Sequence, residues 1–517
     1  MIVQGTTPAD AHRAAPSLAV GHEYTIIPAF SGSVTAGQVN ALAHIPWVTR
    51  VELDGVATAF DASGEADYGV VAARNAFTPT DGALDGTGIG ICIIDTGLDP
   101  SHEQFTGTRV LAFEDWVNHR TAPYDDHGHG THVAGIAAGD ASGSAAAATT
   151  SGGVARAADL YIAKVLDSAG SGSDSNVVAA IQWCAGQSGV RVISMSLGSP
   201  GSDGSDAGSQ AVNAAVAAGK VVVVAAGNDG DAPGTISSPG VATGAITVGA
   251  GSDASSLAGS SDTDTGFYLA GFSSRGPTTN PDARLKPDVV APGLSVVAAK
   301  ANTTSSYITY SGTSMATPFV AGVVALGLEA VPGASPADVK TALQASAFDA
   351  GATGADYEWG YGLVDARAFV AALGVKPSGT ATVWPGHQVV TGSVGSGATQ
   401  DFPISVTTAG QPLAVSLQTT NGAATCALPV GGSCWWGYEW APDLDAYLIS
   451  PAGAQVAMSR CMLESSNGNC GAPERGRGDV ETAGGVLLRL GYVRGGRVRG
   501  RRGQHSTAAF QQPGRSH

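Results

Sequence analysis

Positive charge is scarce in this chain. Its 517 residues carry 26 Lys and Arg against 43 Asp and Glu, a net charge of −17, and charged residues make up only 13%. No stretch of the first 470 residues gathers a basic footprint, which argues against nucleic acid as a partner. Excess acid also fits a salty or extracellular setting. No run of 18 or more apolar residues occurs, so no membrane span is expected. The C-x-x-C spacing is missing too, which disfavours a cysteine-ligated metal. The first residues, MIVQGTTPADAHRAAP, lack the basic and apolar blocks of a signal peptide. The expectation is a secreted protein whose export signal is missing from this reading of the gene.

What is present supports a large core: 43% of residues are hydrophobic, and the length implies two or three domains. The 73 glycines point to many tight turns. Cys92 and Cys184 sit alone inside apolar segments and read as buried free thiols. Cys426, Cys434, Cys461 and Cys470 crowd one C-terminal region, where two disulfides of undetermined pairing are expected.

Composition changes along the chain in four steps. Residues 1–60 contain alternating apolar stretches, HEYTIIPAF and WVTRVEL, around a helical pattern in AGQVNALAHI, the outline of a small α+β unit. Residues 61–375 hold short apolar runs, GIGICIID, LYIAKVL, RVISMSL, KVVVVAAG and AITVGA, alternating with amphipathic segments. Runs this apolar suit parallel strands covered on both faces, and the alternation predicts a doubly wound, mostly parallel α/β sheet. Helices are expected in NVVAAIQWCAG, SQAVNAAVAAG and SPADVKTALQASA, the last with Ser335 as N-cap, Pro336 at the first helical position and Asp338 completing a capping box. Over residues 376–474 Thr, Val and Gly dominate, as in a β-sandwich. Residues 475–517 hold nine arginines and no lysine, and read either as a flexible basic tail or as a sequence translated out of frame.

Four segments can carry chemistry. GTSMATP puts Ser314 at the start of an apolar helix, where free amides and the positive dipole end favour developing negative charge; a plain N-cap serine would look the same. DDHGHGTHVAG supplies His127, His129 and His132, any of which could be a general base, while H-x-H-x-x-H is also compatible with zinc. IIDTGLD sets Asp95 at the carboxyl end of a buried strand, where α/β proteins build their sites. Asp95 could equally be an N-cap, or one of an aspartic-protease pair with Asp264, although Asp264 lacks apolar flanks. AAGNDG leaves the Asn228 amide on a tight turn, able to donate to an oxyanion.

The combination narrows the reading. Asp, His, Asn and Ser follow in the order of subtilisin, each at a strand end or helix start. With DTG, HGTHVAG, AAGN and GTSMATP stand KVLDSAGSGS, ISMSLGS, FSSRGP and KPDVVAPG, and over about residues 85–372 the chain resembles the subtilisin family of serine proteases. That resemblance implies a serine endopeptidase of broad specificity needing no cofactor for its chemistry. Ser314 would be the nucleophile, His129 the general base, Asp95 its orienting partner and Asn228 an oxyanion donor. His132 would pack within the helix. Gly170, Ser171 and Gly172 match a substrate-pairing edge; Ser196, Leu197 and Gly198 match the segment lining the specificity pocket. Met315 would be oxidisable. The N-terminal unit resembles the family's inhibitory propeptide, ending at RVELDGVATAF, with self-cleavage after Phe60 and Ala57 three positions earlier. Calcium is left open, because Gln104 and the stretch GDASGSAAAATTSGG depart from the family's usual site. The segment DLDAYLISPAGAQV resembles the jelly-roll domains that follow secreted proteases. Protein substrates and the chain's own propeptide are the expected partners, and a monomer the expected state.

Overall fold

The structure, a computed structural model, describes residues 2–7, 19–33, 42, 44–46, 48–52, 56–59, 68–77, 83–105, 109–140, 152–230, 232–252, 267–279 and 282–376, together with seven later strands. Residues Met1–Ser252 and Phe272–Thr382 form one unit; Asp253–Gly271 and Val383–His517 form a second.

In the first unit, β1 (Ile2–Gly5), β2 (Ala19–Glu23), β3 (Ala29–Ser33) and β4 (Val48–Glu52) make a sheet of order β2-β3-β1-β4. Its β1, in the MIVQG segment, is not among the strands expected above. Val3, Phe30 and Leu42 are buried together beneath it. After β5 (Val56–Ala59) and α1 (Val70–Ala76), the apolar runs become strands, as expected: β6 (Gly90–Asp95), β7 (Val110–Asp115), then α2 (His129–Ala138), β8 (Asp159–Lys164), β9 (Ser171–Ser173) and α3 (Asp174–Gly186). There follow β10 (Val190–Met195), β11 (Leu197–Gly198), α4 (Ala207–Ala217), β12 (Val221–Ala225), β13 (Ile246–Gly251) and β14 (Val289–Pro292). A hairpin of β15 (Val296–Ala299) and β16 (Tyr307–Tyr310) precedes α5 (Thr313–Ala330), α6 (Pro336–Ser346) and α7 (Ala366–Ala372).

Seven of these strands form one parallel sheet of order β14-β13-β12-β10-β6-β8-β7. From β6 the chain goes to the edge strand β7, returns through β8, and then builds β10, β12, β13 and β14 outward on the other side of β6; the connections part at β6, so the crevice at its carboxyl end is the natural ligand position of such a sheet. Every residue of β6, β12 and β13 is buried, which explains why they are apolar apart from Asp95 and Thr247. Two helices are buried nearly all round: all ten residues of α2 and sixteen of the eighteen in α5. Helix α5 is long and apolar enough to cross a membrane, but its burial identifies it as the core helix of this unit. Small residues permit the close packing; a Cβ on Gly322 would lie 2.5 Å from that of Val154. The capping box on α6 forms as read, with Asp338 N donating to Ser335 Oγ at 3.2 Å and Ser335 N donating to Asp338 Oδ2 at 2.9 Å.

One expectation is overturned. Cys92 and Cys184 are not free thiols but a disulfide, closing a sequence separation of 92 residues. Helix α3 packs across the face of the sheet on which Cys92 and Ile94 lie, and this brings the two Cα atoms to 5.9 Å.

In the second unit, β17 (Gly386–Val394), β18 (Thr399–Val406), β19 (Ala414–Thr420), β20 (Leu444–Ile449), β21 (Gln455–Arg460), β22 (Gly484–Tyr492) and β23 (Gln504–Gln512) form two antiparallel sheets, β17-β23-β19 and β18-β22-β20-β21. Strands β22 and β23 come from the arginine-rich stretch after residue 475. Cys426, Cys434, Cys461 and Cys470 lie outside the described residues.

Candidate active site

Asp95 ends β6, and His129 begins α2. His129 Nδ1 and Asp95 Oδ1 are 2.7 Å apart, and both side chains are fully buried. A carboxylate only accepts, so Nδ1 carries the proton and the basic lone pair is placed on Nε2. Thr96 N donates to the same oxygen at 2.7 Å, which fixes the carboxylate. Asp95 Oδ2 is buried with no hydrogen-bond partner among the described residues. A buried anion so sparingly solvated gains most from a cationic neighbour.

Ser314 is the second residue of α5, inside the turn whose amides lack helical partners. Its Oγ donates to the carbonyl oxygen of Ser196 at 3.1 Å, and Ser196 Oγ donates back to the carbonyl of Ser314. Pro318 explains the return bond. Having no N–H, it leaves the Ser314 carbonyl, four residues earlier, without its helical donor, and the Ser196 hydroxyl supplies one. The nucleophile candidate is thereby clamped to the end of β10.

Asn228 follows β12 on a turn that Gly227 makes possible: φ there is 111°, and a Cβ would meet Ser237 Oγ at 2.5 Å. Asn228 Oδ1 accepts from Thr313 N at 2.9 Å and from Thr313 Oγ1 at 3.0 Å. Two donors on one atom identify it as the carbonyl oxygen, leaving Nδ2 as the donor end.

The two substrate-edge segments meet around one strand. Strand β5 lies antiparallel between β9 and β11, with Ala57 opposite Gly172, Thr58 opposite Ser171 and Gly198, and Ala59 opposite Leu197. Gly170 has φ 72°, and a Cβ on Gly172 would come within 2.1 Å of the Val165 carbonyl oxygen. Ser196 and Leu197 are buried.

The histidines separate by role. His132 Nε2 donates to Ile308 O at 3.1 Å, and burial, with His129 nearby, pushes its pKa down to about 3, so it stays neutral. The exposed His127 ring packs against Gly170. Among the described residues no group of three or more His, Cys, Asp or Glu could hold a metal. Gln104, named above for calcium, donates from Nε2 to Tyr307 Oη at 2.9 Å, and Tyr307 Oη donates to Glu103 at 2.7 Å. Residues 141–151, and Asp264 with its DTG, lie outside the described residues.

Sequence reading missed several supports: Asp125, Thr313, the Pro318–Ser196 relation and Lys164. Lys164 is fully buried, and its Nζ donates to Thr96 O, to Leu166 O at 2.7 Å and to Asp126 at 2.7 Å. An isolated lysine ending an apolar strand was the available signal.

Comparison with known proteins agrees with this geometry. The model of the Subtilase family matches residues 86–362. Serine protease AprX of Bacillus subtilis (strain 168) is 38% identical over 309 residues, 55% of this chain and 65% of that protein. The Extracellular serine proteinase of Thermus sp. (strain Rt41A) is 38% identical over 308 residues, 58% of this chain and 66% of that protein. M-protease of Shouchella clausii (strain KSM-K16) is 35% identical over 352 residues, 67% of this chain and 80% of that protein. The chain therefore spans just under two thirds of the first two relatives and four fifths of the third. The matched segment holds Asp95, His129, Asn228 and Ser314 together, and the chain belongs to the subtilase family.

Proposed function

We propose that this chain is a serine endopeptidase acting through an acyl-enzyme on Ser314, and that residues 1–60 are its propeptide. One observation supports the reading: Asp95 holding His129, Ser314 bonded to Ser196, and Asn228 bonded to Thr313 stand at the carboxyl ends of the neighbouring strands β6, β10 and β12, and an extended strand already lies between β9 and β11. A peptide bound as β5 is bound presents its carbonyl to Ser314. His129 Nε2 takes the hydroxyl proton as Oγ attacks, and returns it to the leaving amine; Asp95 stabilises the intervening imidazolium. Asn228 Nδ2 and the Ser314 N–H receive the oxyanion. Recognition through main-chain pairing gives broad specificity, with large apolar residues favoured before the cut.

The test is labelling with a serine-directed fluorophosphonate. One adduct per chain, mapped to Ser314 by mass spectrometry with parallel loss of casein hydrolysis, is expected. A metal-dependent hydrolase would instead be stopped by chelator and spared by the fluorophosphonate, and a binding protein of this fold would not cleave casein at all. Asn228→Ala should lower kcat by about 10²–10³-fold with KM little changed, a magnitude carried over from subtilisin. A change in kcat below about threefold would remove the amide from the oxyanion site.

The propeptide reading rests on three contacts. Tyr24 Oη donates to Ser175 O at 3.0 Å, His22 Nε2 lies 3.0 Å from Asn176 Oδ1, and Ile26 N donates to Gln182 Oε1 at 3.1 Å. The N-terminal sheet thus sits on α3, while β5 occupies the substrate position between β9 and β11. Phe60 follows Ala59, the last residue of β5, and the cleavage is proposed at the 60–61 bond. Purified active enzyme should begin at Asp61; Edman sequencing giving a start more than a few residues away would refute this site. The buried Cys92–Cys184 disulfide and the relative named as extracellular support secretion. The likeness of DLDAYLISPAGAQV, and the antiparallel strands around it, support a β-sandwich module after residue 375.

A further inference from the structure

Asp125 has no part in the chemistry above, yet it is buried and fully engaged. Its Oδ1 accepts from Thr96 Oγ1 at 2.9 Å, Gly128 N at 2.7 Å and His127 N at 3.1 Å. Its Oδ2 accepts from Thr131 N at 2.9 Å and Thr131 Oγ1 at 2.7 Å. Thr96 follows Asp95; Gly128 and Thr131 flank His129. The Thr96 hydroxyl, while donating to Asp125, also accepts from Gly130 N at 2.8 Å. Asp125 therefore bridges the end of β6 and the start of α2, two elements that share no strand pairing, in addition to the direct Asp95–His129 and Gly130–Thr96 bonds.

We propose that Asp125 is a positioning residue of the triad, which sets the Asp95–His129 contact and adds negative charge beside the imidazolium formed during proton transfer. The proposal rests on the serine endopeptidase reading. Its chemistry is consistent: the first turn of a helix has unpaired N–H groups and the positive dipole end, and a carboxylate satisfies both. Burial works to raise the Asp125 pKa, but the bonds from Thr131, Gly128 and Thr96 more than offset it, and the group stays below the usual carboxylate range. It is anionic whenever the enzyme works. Among the described residues, the charged or titratable groups near His129 include Asp95 from β6, His127 with its ring centroid 6.3 Å away, and the neutral His132 on the same helix. From β8, Lys164 reaches the region already paired with Asp126. Asp125 is thus a second carboxylate beside Asp95, and among the described residues its carboxylate's hydrogen-bond partners are N–H and hydroxyl donors only.

The experiment compares the full chain, after maturation, with Asp125→Ala, Asp125→Asn and Thr96→Val, each normalised to active sites by fluorophosphonate titration. In Asp125→Ala, kcat per titrated site should fall about tenfold or more with KM within about twofold, since misplaced catalytic groups cost rate rather than binding. Asp125→Asn keeps one acceptor oxygen and should recover most of kcat. Its acid limb of kcat/KM should still move to lower pH, because an anion that favoured the charged imidazole is gone. Thr96→Val, which cuts the link to β6, should lose kcat severalfold. If Asp125→Ala does not fold, the other two variants decide. An unmoved acid limb in Asp125→Asn, with unchanged kcat per site in Thr96→Val, would overturn the proposal and leave Asp125 a helix cap that serves stability alone. Failure of the unmodified enzyme to react with the fluorophosphonate would instead refute the serine endopeptidase reading.

Discussion

Ser314→Ala should lower casein hydrolysis by about 10⁶-fold, the size of the loss found in subtilisin itself and equivalent to about 8 kcal/mol of transition-state stabilisation. Without Oγ there is no acyl-enzyme, and His129 has no hydroxyl proton to take. Asn228 and the binding edges remain, so a small residual rate through attack by water is expected rather than none. The same variant should accumulate as the uncut chain, since the 60–61 bond is proposed to be broken by this serine. The fold should survive: α5 is buried along its length, and Ser196 Oγ donates to the main-chain carbonyl of residue 314, which alanine retains. Casein assay, gel mobility and a thermal melt of one preparation check all three outcomes. Retained activity would end the serine mechanism.

The disulfide should carry the largest single contribution to stability. Joining Cys92 to Cys184 closes a loop of 92 residues, and the chain-entropy relation gives about 4–5 kcal/mol for a loop of that length. Cys92→Ala with Cys184→Ala is therefore expected to lower Tm by roughly 10 °C in calorimetry. Activity per titrated site at low temperature should change little, because Cys92 faces the α3 side of the sheet, whereas His129 and Ser314 belong to α2 and α5. Both cysteines are fully buried, so dithiothreitol without denaturant should leave the bond intact; thiolate attack needs access to sulfur. A Tm within about 2 °C of the parent would mean that the cross-link constrains little of the unfolded chain.

Much of this was legible from the chain alone. The runs GICIID and VVVVA read as buried parallel strands because a strand covered on both faces has no polar alternation to keep, and both lie in the sheet. The box at Ser335 was legible because capping acts over three residues of contiguous chain. Asp95, His129, Asn228 and Ser314 were found as local motifs, each bound to a strand end or helix start. Choosing His129 over His132 needed the family pattern; the structure adds the reason, since His132 is held neutral by burial and spent on Ile308 O.

Other features could not be read, because they depend on pairs distant in sequence. Cys92 and Cys184 each looked like an apolar core thiol, which is what a buried cysteine usually is. Only the crossing of α3 over the sheet makes them neighbours. The mutual bonds of Ser196 and Ser314 join residues 118 apart, and they exist because Pro318 withholds a donor that nothing local replaces. Asp125 stands in the histidine motif with no role legible there, since its bond to Thr96 spans 29 residues. The sequence by itself determined which chemical groups the site holds and which elements carry them, because propensity, capping and motif spacing act over short stretches. Their distances, the bonds of Asp125 and the Cys92–Cys184 disulfide were decided by tertiary packing, because only the folded sheet brings segments distant in sequence to one place.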